Sequence, residues 1–286
     1  MKGYRDIAGD GGSNIVEQVV AQQARLAARM APIRASVAVV SGKGGVGKSS
    51  VTANLAGALA QRGLAVGVLD ADLNGPSMGK MLGVRGQTLR VEPGGVCPAV
   101  SAEGIRVLSM DLLLPGDDTP VVWDAPTQAE AHTWRGTMEG TALREFLADT
   151  AWGALDVLLL DLPPGTDRLA TIASLVPALS GIVIVTIPSD VSHLVVRRSI
   201  TVAANTRAPM LGLVENMAGL FAGPDAAKLA ADAGIPFLGS VPFDRALAIA
   251  ADQGDSFVGT APERAAAVAL RRIAEAIRVA LSPRRA

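Results

Sequence analysis

Four glycines, two lysines and three serines crowd into "SGKGGVGKSS", residues 41–50, in a chain with five lysines in all. The spacing Gly42-x-x-x-x-Gly47-Lys48-Ser49 suits one kind of chemistry. Glycines let successive backbone N–H groups turn toward a single point, which makes an anion nest at the start of a helix. Gly44, Gly45 and Val46 supply the middle of that nest, and Ser50 follows it. Lys48 brings a mobile positive charge to the β- and γ-phosphates of a nucleotide, and the Ser49 hydroxyl can ligate Mg²⁺. A surface turn needs one or two glycines. The stretch therefore reads as a phosphate-binding loop.

Carboxylates placed at strand ends would complete such a site. Asp70 and Asp72 close "VGVLDAD", residues 66–72, and Asp161 closes "VLLLD", residues 157–161. The ends of parallel strands form the ligand crevice of open α/β sheets. A carboxylate at Asp72 can there hydrogen-bond an attacking water or a metal-bound water, and Asp161 fits the second acidic strand that accompanies phosphate loops.

These residues need elements to hold them. Residues 36–40 read as a buried strand, 49–61 as a helix closed by Gly63, and 65–69 as the next strand. Further buried strands are expected at 156–160, 181–187 and 210–214, and weakly at 105–110. Helical patterns fall at 13–34, where Pro32 ends the run, and at 141–149, 191–204, 226–233, 245–252 and 262–281. Strand, glycine loop, helix and strand in alternation predict an α/β fold: a doubly wound, mostly parallel sheet with helices on both faces. We divide the chain into an N-terminal helical extension, residues 1–34, and a single phosphate-loop domain, residues 35–286.

The composition excludes several classes. Of the 286 residues 49% are hydrophobic, ample for one large core, and 26 basic against 27 acidic residues ask for no nucleic acid partner. One cysteine and two separated histidines offer no metal-binding spacing within one chain. No apolar run reaches the length of a membrane span and the first residues lack a secretory pattern, so a cytoplasmic protein is expected. The terminal helix carries Arg271, Arg272 and Arg278, but its alanine-rich stripe favours packing on its own domain. Ser189, Asp190 and His193 lack an activating constellation, and a helix N-cap explains the first two.

The loop, with its early Lys43, resembles the deviant phosphate loop of the class that includes ParA, MinD and the nitrogenase iron protein. Together with "LDADLNGPSMGKMLG" (69–83), "GALDVLLLDLPPGT" (153–166), "LGLVENMAG" (211–219) and "PFLGSVPFD" (236–244), the chain from about Ile33 to Arg272 resembles the Mrp/ApbC family of deviant phosphate-loop ATPases. The resemblance implies a homodimer that binds ATP with Mg²⁺ and hydrolyses it slowly while maturing iron–sulfur or other metalloproteins through a protein client. It implies that Lys43 reaches the partner's nucleotide and that Asp72 orients the attacking water. It places Asp161 with Ser49 on the metal side, Asn216 on the adenine and Pro242 at the base pocket.

Two departures qualify it. The family's Cys-x-x-Cys, which follows Glu-Asn-Met, is absent: Met217 is followed by "AGLFAGPD", and the lone Cys97 lies elsewhere. An iron–sulfur cluster on this chain is therefore not expected, and the alternative is a ParA/MinD-like ATPase that binds or positions a protein cargo without carrying metal. The second departure is an apparent insertion at about 124–134, between Trp123 and Trp134, expected to form an exposed loop near the Asp72 segment.

Overall fold

The structure, a computed structural model, describes residues 15–114, 116, 119, 128–165, 167–176 and 178–282. Among them the strands are β1 (Ser36–Ser41), β2 (Val66–Asp70), β3 (Arg90–Glu92), β4 (Gly95–Cys97), β5 (Ala99–Val100), β6 (Arg106–Leu108), β7 (Val157–Asp161), β8 (Gly181–Thr186), β9 (Met210–Ala218) and β10 (Phe237–Pro242). The helices that matter here are α1 (Ile15–Met30), α2 (Lys48–Ala60), α3 (Met78–Met81), α4 (Gln128–Asp149), α5 (Asp167–Leu175), α6 (Asp190–Asn205), α7 (Ala226–Asp232), α8 (Arg245–Gln253), α9 (Phe257–Thr260) and α10 (Ala265–Leu281).

Eight strands form one sheet in the order β10-β9-β8-β1-β7-β2-β6-β5. Every pairing in it is parallel except β5 with β6. β3 and β4 make a separate antiparallel pair. The doubly wound, mostly parallel sheet expected from the alternation is the observed one.

The strands read as unbroken apolar runs because both faces are covered. Period-two alternation divides each strand between two cores. Val37, Val39, Val157, Leu159, Val183 and Val185 face one core with Leu55 and Leu59 of α2 and Leu270, Ile273 and Ile277 of α10. Ala38, Val40, Leu158, Leu160, Ile182 and Ile184 face the other with Leu143 and Leu147 of α4, Ile172 of α5 and Val196 of α6. The terminal helix thus packs on its own domain. α1 lies against α4 and sends Leu26 into the second core.

Sequence and structure differ most around α4. The periodicity gave a helix over 141–149, but the helix begins at Gln128. Gly136 and Gly140 masked the pattern, since glycine weakens a helix locally by about 1 kcal/mol. The backbone of 128–134 is therefore helical and not the exposed loop expected for the insertion. Residues 123–127 lie outside the described residues. The chain from 90 to 100, where no strand was expected, forms the three short strands β3 to β5.

Candidate functional site

β1 sits at the point where the strand order reverses, with β7 and β8 on either side. Its C-terminal end is where a doubly wound sheet opens a crevice. The chain leaves β1 at Ser41, runs through Gly42–Gly47 and enters α2 at Lys48. Gly45 and Gly47 have φ of 79° and 77°, in the left-handed region that glycine reaches without strain. A Cβ on Gly47 would also stand 2.3 Å from Asn216 Nδ2.

Register brings the acidic strand ends together. Val39 of β1 lies opposite Asp161 of β7, and Asp161 opposite Asp70 of β2. Asp161 is fully buried and its oxygens are taken up by α2. Lys48 Nζ lies 2.6 Å from Oδ2, Ser49 Oγ donates to Oδ2 at 2.7 Å, and Thr52 Oγ1 donates to Oδ1 at 2.6 Å. Lys48 Nζ also donates to Ser49 Oγ at 3.2 Å. A buried carboxylate and ammonium are tolerable only when paired in this way.

Asp70 and Asp72, two residues apart, have different environments. Asp70 ends the buried strand. Its Oδ2 accepts from the N–H groups of Ser77 (2.8 Å) and Met78 (3.0 Å) and from the Ser109 hydroxyl (2.8 Å), and its Oδ1 accepts from the N–H of Asp72 at 3.2 Å. Burial, and next the charge on Asp161, push the Asp70 carboxyl up to about 7. Asp72 lies past the strand end, half-buried on the crevice wall, and its Oδ1 accepts from the Gly75 N–H at 3.2 Å.

The crevice has two compartments. The first, about 350 Å³, is lined by Lys43, Gly44, Gly45, Val46, Gly47, Lys48, Ser49, Ser50 and Asp72, with Ser77, Met81 and Pro164. The second, about 230 Å³, is lined by Gly47, Ser50, Met81, Asn216, Met217, Pro242, Phe243 and Leu247 among others. Gly47, Ser50 and Met81 belong to both, so the compartments adjoin. Asn216 leaves β9 with its amide buried, and Nδ2 donates to the Val46 carbonyl at 2.9 Å. Its Oδ1 keeps its capacity to accept from a base amine.

The structure thus gathers the sequence-predicted residues at one crevice. Gly42 opens its loop, and Asp161 forms its floor through Ser49 and Lys48. Reading the sequence missed Thr52, although its place one turn beyond Lys48 put it on the same helical face. It also missed the pinning of the Asp72 segment by Asp70, and the gathering of Asn74 and Arg168 on the buried Glu139 carboxylate. Cys97 is remote from this crevice. It is half-buried in β4, in the separate two-stranded pair, two residues before β5, the edge strand of the main sheet at the end away from β9 and β10. Burial and a hydrogen bond with Glu92 raise its thiol above the ordinary range. Ser189 occupies the N-cap position of α6 without a side-chain cap bond, and His193 is buried with no partner on Nε2 among the described residues.

Comparison with known proteins meets this geometry. Residues 32–278 match the family model ParA, described as NUBPL iron-transfer P-loop NTPase. The chain is 45% identical over 244 residues to an iron-sulfur cluster carrier protein of Saccharolobus solfataricus, covering 81% of this chain and 79% of that protein. A nucleotide-binding protein from Archaeoglobus fulgidus, solved in complex with ADP, superposes with a TM-score of 0.68 at 35% identity, over 82% of this chain and 92% of that one. The cell division ATPase MinD of Pyrococcus furiosus, at 24% identity, shares the fold with a TM-score of 0.63 over 86% of this chain and 98% of its own. No helix among the described residues is long and apolar enough to cross a membrane.

Proposed function

The chain belongs to the ParA family of iron-transfer P-loop NTPases, and on that premise we propose that it binds ATP with Mg²⁺, hydrolyses it slowly, and acts as a homodimeric nucleotide switch in iron–sulfur or other metalloprotein maturation. One observation carries the reading: the glycine nest, the Lys48–Ser49–Asp161 cluster and the Asn216 compartment lie side by side.

The chemistry divides among residues by position. Backbone N–H groups of the loop and the Lys48 ammonium bind the phosphates in ground and transition states alike. Asp72, on the crevice wall, orients the attacking water. Lys43, at the rim of the same compartment, reaches the nucleotide of the second copy and neutralises charge as it develops. Ser49 and Asp161 fit Mg²⁺: a hydroxyl and a carboxylate oxygen 2.7 Å apart beside a phosphate nest are the hard donors this ion takes. Mg²⁺ held there would neutralise phosphate charge. Asn216, with the apolar wall of Met217, Pro242 and Phe243, takes the base.

Substitution separates these roles. Lys48→Ala should abolish ATP binding measured by equilibrium titration, whereas Asp72→Ala should bind normally and lose turnover, because water orientation matters only during attack. Equal loss of affinity in both variants overturns the assignment.

The single thiol favours a second reading of the cargo. Clusters are commonly held by four thiolates, and a dimer of this chain has two, each at a sheet edge. β5 and β9 are six strand spacings apart, roughly 29 Å at about 4.8 Å each. We therefore read the chain as a switch that acts on a client or a cluster-bearing partner and does not itself hold the cluster. Anaerobic reconstitution with iron and sulfide should leave it iron-free. Stoichiometric iron lost on Cys97→Ala would restore a carrier role.

A further inference from the structure

We propose that Glu139 is a positioning residue for hydrolysis, holding the Asp72 segment through Asn74 and joining it through Arg168 to the loop that follows Asp161. The inference rests on the ATPase reading above.

Glu139 projects from α4 and its side chain is 5% exposed. One carboxylate oxygen accepts from Asn74 Nδ2 at 2.9 Å. The other is ion-paired with Arg168, whose guanidinium also donates to the Gly136 carbonyl at 3.4 Å. A carboxylate this buried requires partners. The informative point is where its partners lie. Asn74 sits between Asp72 and Gly75, and the Gly75 N–H is the group bonded to the Asp72 carboxylate. A continuous path therefore runs from Glu139 through the Asn74 amide and the adjoining peptide to the side chain that faces the crevice. Arg168 lies in the first turn of α5, seven residues past Asp161, so the same carboxylate holds both the Asp72 segment and the start of α5.

The other end of the segment is fixed independently, by Asp70 on the N–H groups of Ser77 and Met78. Asp72 lies between the end of β2 at Asp70 and the Asn74 anchor, and the segment then folds back onto Asp70 at Ser77 and Met78. Asp70 anchors that segment to the sheet, and Glu139 anchors it to α4, the helix whose first turns carry the inserted residues. Movement of the Asp72 segment on nucleotide binding must therefore reach α4 through Asn74. None of the three side chains lines the phosphate compartment, so their loss should spare ground-state binding and disturb only the geometry of attack.

The test is ATP turnover by Glu139→Ala, Glu139→Gln, Asn74→Ala and the Glu139→Ala/Asn74→Ala double variant, each normalised to sites titrated with a fluorescent ATP analogue. Glu139→Ala should lose about fivefold in kcat with KM for ATP within twofold. Asn74→Ala should match it, the double variant should lose no more than either alone, and Glu139→Gln, which keeps an acceptor for Asn74, should recover part of the loss. Additive losses, or a kcat drop that disappears on normalisation to titrated sites, mark an architectural pair and overturn the inference. Hydrogen exchange with and without Mg-ADP gives a readout independent of turnover. Nucleotide should slow exchange at both 72–81 and 136–145 in the native chain, and only at 72–81 in Glu139→Ala. No response at 136–145 in the native chain overturns the inference. Absence of phosphate release by the native chain would instead remove the ATPase reading, with the exchange result still deciding this one.

Discussion

The ends of β1, β7 and β2 and the turn after β9 flank the same crevice and are built on opposite principles. At the first, Lys48, Ser49, Thr52 and Asp161 satisfy one another inside the protein, and Asp70 is saturated by backbone and hydroxyl donors. At the second, Leu220 and Phe221 are each 45% exposed, on a backbone turned by Met217 at φ 56°. Where every polar group is another's partner, no residue can change alone. Where side chains face solvent, folding places little demand on their identity, and what touches them sets it. The contrast accounts for a chain that keeps the nucleotide machinery of its family while the residues after Met217 have no thiol.

Asp161→Ala should break the first region most severely. It strands the Lys48 ammonium, which is 5% exposed, and removing one partner of a buried pair costs about 3–5 kcal/mol. Urea unfolding should show that loss, and Mg²⁺-dependent turnover should fall by about 100-fold or more.

Gly47→Ala comes next. It forces a side chain to φ 77° and against Asn216 Nδ2, strain worth about 1–3 kcal/mol. Because that strain falls on the junction of the two compartments, ATP affinity measured by calorimetry should drop along with stability.

Asp70 gives a pH test of the same region. Its carboxyl is raised to about 7, so between the ordinary carboxylate range and pH 7 the folded chain holds a proton that the unfolded chain has lost. Stability from this group is present at low pH and declines as pH rises toward 7, by at most about 1.4 kcal/mol per pH unit. Thermal unfolding in the absence of Mg²⁺ should lose that part of its slope in Asp70→Asn.

The smallest effect belongs to the second region. Leu220→Ser and Phe221→Ser should change stability by less than about 0.5 kcal/mol and leave ATP affinity within twofold. A large loss in either would show that the turn is as interlocked as the strand ends.

Much of the phosphate end was legible because its logic is local. Gly42 to Ser49 lie on one loop, and Asp161 ends an unmistakable buried run. The distinct duties of Asp70 and Asp72 were not legible, since they depend on where β2 stops and on the register that sets Asp70 beside Asp161. Glu139 and Arg168 stand far apart in sequence with no periodic relation, and only the packing of α4 on α5 joins them. The start of α4 was hidden by Gly136 and Gly140, whose poor helix propensity interrupts the pattern.

The place of β4, outside the main sheet and next in the chain to its β5 edge, has a practical consequence. Its Cys97 is the chain's one thiol, half-buried and remote from the crevice, so a maleimide spin label attached there would be unique and would leave the nucleotide compartments untouched. The raised thiol calls for labelling at alkaline pH, where the reactive thiolate is populated. In a two-fold dimer the pair of labels would give a single inter-subunit distance, and pulsed electron resonance could follow that distance as ATP is bound and spent.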